Sequence, residues 1–243
     1  MERFLRAVIL PGDRVPADGG YPWDLPAVRG VTDAPLDLDH DVVFLVGENG
    51  SGKSTLVEGL AVALGLNPEG GSQNMTFATR ESHSPLHEAL RVTRGIRRPR
   101  SRYFLRAESF YNVATLVDEI PDALAAHGGA SLHARSHGES FLALVNHRFG
   151  RDGLYLLDEP EAALSPTGLL ALLRRMHDLV AEGSQFVVAT HAPMLMAYPG
   201  ARIYALDAAG IAPIAFEETD HFQLTRAFLE APERFLRTLL TDD

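Results

Sequence analysis

The chain contains no cysteine, which excludes disulfides and every thiolate-ligated metal site. It has one tryptophan, and its single lysine, Lys53, stands alone among 22 basic residues, the others all being arginine. No apolar run approaches the ~20 residues needed to cross a bilayer, which speaks against direct membrane insertion. Met1-Glu2-Arg3-Phe4 does not have the layout of a signal peptide, because the apolar stretch Ala7 to Leu10 is short and stops at Pro11-Gly12. These absences lead us to expect a cytoplasmic protein. Cationic surface is also in short supply: a net charge of −10 argues against a general electrostatic grip on nucleic acid.

What is present is enough for one sizeable core. With 243 residues and 46% hydrophobic content, a single α/β domain over residues 1–243 is the natural expectation. The basic residues are unevenly spread, with Arg91, Arg94, Arg97, Arg98, Arg100, Arg102 and Arg106 close together. This cluster reads either as a solvated face or as a patch for nucleic acid or an acidic partner.

The most informative stretch is Asp41 to Leu56, D-VVFLV-GENGSGKST-L. Val42 to Val46 reads as a buried strand, and Gly47, Asn49, Gly50, Ser51, Gly52, Lys53, Ser54 and Thr55 form a G-x-x-x-x-G-K-[ST] loop. Its glycines let successive N–H groups converge on a polyphosphate, and a helix starting near Lys53 adds its positive end. Lys53 then meets the β- and γ-phosphates and the Ser54 hydroxyl coordinates Mg²⁺. Leu56, Leu60, Ala61 and Leu64 at helical spacing supply the helix that this motif requires. A compact point charge at the one lysine of an arginine-using chain fits the same chemistry.

Along the rest of the chain, Phe4 to Leu10 predicts a strand and Pro11 to Pro26 a loop, in which Tyr21 or Trp23 can stack on a base or simply pack. Ala27 to Leu38 predicts a second strand. Ala89 to Thr93 and Tyr103 to Ala107 predict a hairpin with the arginines between, ending at Glu108. Asn112 to Ala126 has helical spacing broken by Pro121. Ser140 to Phe149 predicts a helix, and Leu154 to Leu157 a buried strand ending at Asp158-Glu159-Pro160. Ser165-Pro166 is a helix start with serine as N-cap. Phe186 to Thr190 is a further strand before His191, Ile203 to Leu206 and Ile211 to Phe216 predict a hairpin, and 219–243 a C-terminal helical segment interrupted at Pro232. Strands alternating with helices predict a mostly parallel core sheet flanked by helices, whose ligands gather at the strands' carboxyl ends.

Gly47, Asp158 and His191 all fall at such ends. Asp158 can reach the Mg²⁺ shell, and Glu159 can orient or deprotonate a water in line with the γ-phosphate. The pair can also be an acidic cap on the next helix. His191 reads as a γ-phosphate contact or as an ordinary buried strand-end histidine. Ser136-His137-Gly138-Glu139 before a helix is either a plain cap or a second anion site, and the loop of its own chain already has Lys53.

In order, these motifs resemble those of ABC-type ATPases. GENGSGKST is similar to Walker A, S-H-G-E to the signature motif, LYLLDEP to Walker B and T-H-A-P to the switch-histidine segment. The likeness is closer to the recombination and chromosome-maintenance (SMC/RecF-like) branch, and HFQLTRAFLEAPERFLRTLL resembles small stand-alone bacterial ATPases. The resemblance implies a P-loop fold with an N-terminal antiparallel β portion and a reduced helical subdomain near residues 110–140. It further implies a homodimer enclosing ATP and Mg²⁺. In that dimer Ser136, Gly138 and Glu139 of one copy would face the loop of the other, with Glu159 as general base and His191 as phosphate sensor. Ser54 and Asp158 would hold the metal, with Glu108 or, as a rival, Gln73 in the Q-loop role. The sequence departs from the family pattern with His137 for glycine, Glu139 for glutamine and Ser165 for aspartate.

The implied activity is Mg-dependent ATP hydrolysis by a conformational switch acting on an unidentified effector, in DNA repair or defence. A nucleotide-binding subunit of a transporter is the alternative, although little chain separates Glu108 from Ser136 for a coupling subdomain. A P-loop kinase of small metabolites and a DNA-binding module acting through Arg91–Arg106 are further readings.

Overall fold

The computed structural model describes residues 2–72, 84–110 and 136–240. Two sheets organise them. Strands β1 (Leu5–Ile9), β2 (Leu36–Asp37) and β5 (Arg91–Arg94) form a small antiparallel sheet in the order β2-β1-β5. The large sheet has seven strands in the order β10-β9-β3-β8-β7-β6-β4. They are β3 (Val42–Gly47), β4 (Gly71–Ser72), β6 (Ser101–Arg106), β7 (Gly153–Asp158), β8 (Gln185–Ala189), β9 (Arg202–Asp207) and β10 (Gly210–Pro213). Its five central strands are parallel, and the two edges are antiparallel to their neighbours.

The central strands are apolar because both of their faces are covered. Val42, Phe44, Tyr155, Leu157, Phe186 and Val188 point to one side, where they pack with Phe141 and Leu144 of α4 (His137–Arg148) and Leu172 and Met176 of α5 (Pro166–Ala181). Val43, Leu45, Leu154, Leu156 and Val187 point to the other, against Leu56, Val57 and Leu60 of α2 (Lys53–Ala63) and the small sheet. Each such side chain contributes roughly 1.5–3 kcal/mol through burial.

Gln185 ties the large sheet to the small one with several hydrogen bonds, beside a single bond from Tyr204 Oη to the Asp37 carbonyl at 3.0 Å. Gln185, 1% exposed, accepts from the N–H groups of Phe4 and Leu5 at 3.0 and 2.9 Å. Its amide nitrogen donates to the carbonyls of Leu5, Leu38 and His40 at 2.9, 2.7 and 3.1 Å.

Two expectations need correction. Most of Ala27 to Leu38 is not strand: Pro26–Asp33 is helix α1, and only Leu36–Asp37 pairs in a sheet. Pro26 at the first helical position starts α1, and Ala27, Val28 and Val31 form its buried stripe. Gly30 lets α1 lie directly on β10, since a Cβ there would come within 2.5 Å of Ile211. The arginine-rich strands are also not a hairpin. β5 joins β1 in the small sheet, whereas β6 lies parallel to β7 in the large one. Only β6 has an apolar centre, Tyr103-Phe104-Leu105, suited to a sheet buried on both faces.

The other elements follow expectation: β9 and β10 form a hairpin, and the C-terminal segment is α7 (Asp220–Glu230) and α8 (Pro232–Leu240), divided at Pro232. Between β8 and β9 lies the short helix α6 (Pro193–Met196), and α3 (Leu86–Ala89) precedes β5. The helix expected at Asn112 to Ala126, and Gln73, lie outside the described residues.

The arginine cluster is divided among several tasks. Arg94 and Arg102 donate to the carbonyls of Ala63 and Leu64 at the end of α2. Arg97 and Arg100 both pair with Asp152. Arg106 leaves the group altogether and faces the carboxyl end of β7.

Candidate nucleotide site

The loop Gly47 to Thr55 leaves β3 at the carboxyl edge of the large sheet and turns into α2 at Lys53. Close backbone packing fixes the exit: a Cβ on Gly47 would sit 2.2 Å from the carbonyl oxygen of Leu206 on neighbouring β9. Gly52 caps α2 in the left-handed region, with φ of 93°. Lys53, 3% exposed, arches back over the loop and donates to the carbonyls of Gly47 and Glu48 at 2.8 and 3.0 Å. Burial lowers its pKa, while Glu159, Asp158 and Glu161 favour the cation. Asn49, Gly50, Gly52, Lys53, Ser54 and Thr55 line an open cavity of about 220 Å³ together with Leu25, Glu159 and Tyr21. Tyr21 is thus at the nucleotide loop, 70% exposed, whereas Trp23 packs against the core below.

Asp158 ends β7, two strands from β3, with β8 between them. It is 3% exposed and bonded to the Ser54 side chain, while its Oδ1 has no partner among the described residues. Burial raises its pKa to about 6, against the pull of Arg106 and Ser54. Register explains the arginine, because β6 pairs Arg106 directly with Asp158. Arg106 reaches Asp158 at 3.3 Å, Glu58 at 2.8 Å and Glu108 at 3.2 Å. Glu108 itself is 83% exposed, at the rim, with the Arg106 guanidinium standing between it and Asp158.

The next residue, Glu159, adopts φ 49° and ψ 51°, a left-handed conformation that costs a non-glycine residue about 1–2 kcal/mol. Its N–H donates to Ala189 on β8 at 2.9 Å, and its carboxylate turns into the cavity beside Lys53. His191 follows β8, with Nε2 3.5 Å from Glu159 Oε1 and no hydrogen-bond partner for that nitrogen among the described residues. Burial and then the charge of Lys53 lower the His191 pKa, which favours neutral imidazole.

Three residues at this site are not marked by local sequence pattern. Arg106 was absorbed into the basic cluster. Glu161 holds the histidine loop: its carboxylate accepts from Thr190 Oγ1 at 2.9 Å and from the His191 N–H. Its spacing in D-E-P-E was the one available signal. His221, on α7, puts Nε2 3.0 Å from His191 Nδ1, and nothing local in the sequence marks it.

Ser136, Gly138 and Glu139 are not among the residues lining the cavity of their own chain. Ser136 and Glu139 form a capping box at the start of α4. Glu139 accepts from the Ser136 N–H and Oγ at 2.9 and 2.7 Å, and the Glu139 N–H points back to Ser136 Oγ at 3.4 Å. Ser136 and His137 are exposed. Ser165 likewise caps α5, accepting from the Gly168 N–H at 3.2 Å.

The chemistry of the site suits a polyphosphate with a hard cation. Among the described residues no three His, Asp or Glu side chains form a metal cage. Mg²⁺, which usually takes one or two protein oxygens and completes its shell with phosphate and water, would be held by Ser54 and the unpaired Asp158 Oδ1.

Comparison with known proteins bears on the fold. Residues 25–103 match the family model described as AAA domain. The chain is 28% identical over 180 residues to the cytochrome c biogenesis ATP-binding export protein CcmA of Rhodopseudomonas palustris, covering 68% of this chain and 85% of that protein. It is 26% identical over 176 residues to ABC transporter G family member 22 of Arabidopsis thaliana, spanning 23% of that protein's length. Among solved structures, cbiO1 of Clostridium perfringens, part of the ABC transporter complex cbiONQ, superposes with a TM-score of 0.50 at 16% identity, over 99% of this chain and all of that one. A structure described as a metal-chelate type ABC transporter in an inward-facing conformation gives 0.52 at 18% identity, covering 94% and 90%. Sheet order, phosphate loop and these likenesses converge on one architecture, and the chain has the fold of an ABC-type P-loop ATPase nucleotide-binding domain.

Proposed function

We propose that the protein is a Mg-dependent ATPase that dimerises around ATP and works as a conformational switch for an effector protein. The observation that carries this reading is the convergence of Lys53, Asp158, Glu159 and His191 at one sheet edge, with Asp158 Oδ1 buried and without a hydrogen-bond partner among the described residues and His191 Nε2 facing Glu159 Oε1 at 3.5 Å. Lys53 releases the carbonyls of Gly47 and Glu48 and turns to the β- and γ-phosphates. Ser54 and Asp158 would hold Mg²⁺, which when bound would supply positive charge to the phosphate oxygens. Glu159, held in its strained turn, orients the attacking water and takes its proton, and His191 donates from Nε2 to a γ-phosphate oxygen.

The exposed start of α4 supports dimerisation. Ser136 is not at its own chain's cavity, and its serine-capped helix end is suited to the γ-phosphate held by a second copy. Glu108, at the rim and paired with Arg106, is the residue we propose for the Q-loop role at the metal site. Domain extent over 1–243 and a cytoplasmic setting belong to the same reading. Among the described residues no helix is long and apolar enough to cross a membrane.

Purified protein is expected to release phosphate from ATP with Mg²⁺, and Glu159→Gln to accumulate an ATP-bound dimer by light scattering. A monomer under those conditions would overturn the shared-site model. A second reading, the nucleotide-binding subunit of a transporter, is favoured by the names of the relatives. Recovery of a membrane subunit with the tagged protein from detergent extracts would decide for it.

A further inference from the structure

We infer that His221 is a positioning residue for hydrolysis, which places the single imidazole proton of His191 on Nε2, the atom that faces Glu159 and the phosphate site. This inference rests on the reading of His191 as a γ-phosphate contact.

The two rings are 3.0 Å apart between His191 Nδ1 and His221 Nε2, and both are half-buried. One of those nitrogens must donate and the other accept. A neutral His191 carries only one N–H, so the direction of this bond decides what its other nitrogen offers. If Nδ1 carried the proton, a bare Nε2 lone pair would face Glu159 Oε1 at 3.5 Å and, in turn, a phosphate oxygen. If His221 donates, Nδ1 is the acceptor and Nε2–H points at both anions. Electrostatics select the second arrangement.

Burial keeps both rings toward neutrality, as does their shared proximity to Lys53. The acidic groups around them are Glu159, Glu161 and Asp220. Glu161 is engaged with Thr190 and the His191 main chain, and Asp220 lies on the His221 side.

His221 is held firmly enough to act on its neighbour. It sits in the first turn of α7, whose N-cap Thr219 is 1% exposed, accepts from the Phe222 N–H at 3.3 Å and donates to the Phe216 carbonyl at 2.8 Å. Phe222 and Phe216 pack ring to ring at 4.6 Å. A C-terminal helix therefore reaches back to the end of β8 and touches the site through one nitrogen.

The test uses the full chain. His221→Phe, which keeps a ring and removes the donor, is expected to lower kcat for ATP about 10- to 100-fold, the usual scale for losing a group that orients a functional side chain, with KM unchanged. His221→Gln, which returns an N–H donor, is expected to recover most of that loss. Nitrogen-15 spectra of His191 provide a readout independent of turnover. The wild type should show the Nε2–H tautomer, His221→Phe should lose it and His221→Gln should keep it.

A His221→Phe variant with wild-type kcat and tautomer, beside an inactive His191→Ala, would overturn the role of His221 and leave the proposed function standing. Full activity in His191→Ala would overturn the sensor reading itself. If His221→Phe does not fold, a folded His221→Gln with the wrong His191 tautomer refutes the inference, and one with the right tautomer supports it.

Discussion

Replacing Gln185 with methionine should separate hydrogen bonding from packing in this fold. Methionine has nearly the same length and volume, so the core around it stays filled. What disappears is the set of bonds that Gln185 makes to the small sheet: two accepted from Phe4 and Leu5, and three donated to Leu5, Leu38 and His40. The His40 bond is only part-buried, and water can replace it. The other four are buried, and each contributes a net ~1 kcal/mol, with a further penalty where a donor is left without a partner. A loss of about 4 kcal/mol is therefore expected. For a protein of this size that is a fall in Tm of roughly 8–16 °C. Urea unfolding followed by circular dichroism gives the loss directly from the midpoint, provided the slope is unchanged. Hydrogen exchange at Phe4 and Leu5 should accelerate beyond the global effect, because those two N–H groups lose their acceptor. A loss under 1 kcal/mol would refute the view that Gln185 is a main fastening between the two sheets.

Gly47→Ala should abolish binding of a fluorescent ATP analogue, because its Cβ would stand 2.2 Å from the Leu206 carbonyl, and wild-type affinity would contradict that packing. Arg106→Met leaves Glu58 and Asp158 without their cation, which should cost about 3 kcal/mol by thermal unfolding and weaken Mg·ATP binding; an unchanged Tm would be incompatible with the ion pairs described. Ser136→Ala should cost about 1 kcal/mol through loss of its cap. In the Glu159→Gln background it should also dissolve the ATP-bound dimer, and a dimer of unchanged affinity would leave Ser136 as a cap only. With Asp158 raised to about 6, the folded state binds extra protons between the ordinary carboxylate range and that value, so stability should decline as pH rises through the window. By the same logic, Mg·ATP binding near pH 6 should release protons that are not released at pH 8, measured by calorimetry in buffers of different ionisation enthalpy.

Much of this protein was legible in local pattern. The loop Gly47 to Thr55 is readable as a strand-to-helix turn of the phosphate-loop type because such a turn is built from consecutive main-chain groups, which demand glycine at fixed spacing. Val42–Val46, Leu154–Leu157 and Phe186–Thr190 announce a parallel sheet because both faces must be buried, and Ser136 and Ser165 announce helices because a cap acts within four residues. Those same rules put Asp158 and His191 at strand ends, and so at the carboxyl edge of the large sheet.

What escaped depends on contacts between residues far apart in the chain. Arg91–Arg106 looked like one patch, yet strand register sends Arg106 to Asp158 while β5 is taken by another sheet. Ala27–Leu38 reads as extended, yet Pro26–Asp33 is helix α1, packed on β10, and only Leu36–Asp37 is strand. Gln185 reads as an unremarkable polar residue until the main chain of residues 4, 5, 38 and 40 closes around it. His221 sits thirty positions from His191, and only the fold of the C-terminal helix onto the sheet edge puts their nitrogens 3.0 Å apart. The sheet and the loop that leaves it are set by short-range pattern; the surroundings of each charged group at the candidate site are set by the neighbours that tertiary packing supplies.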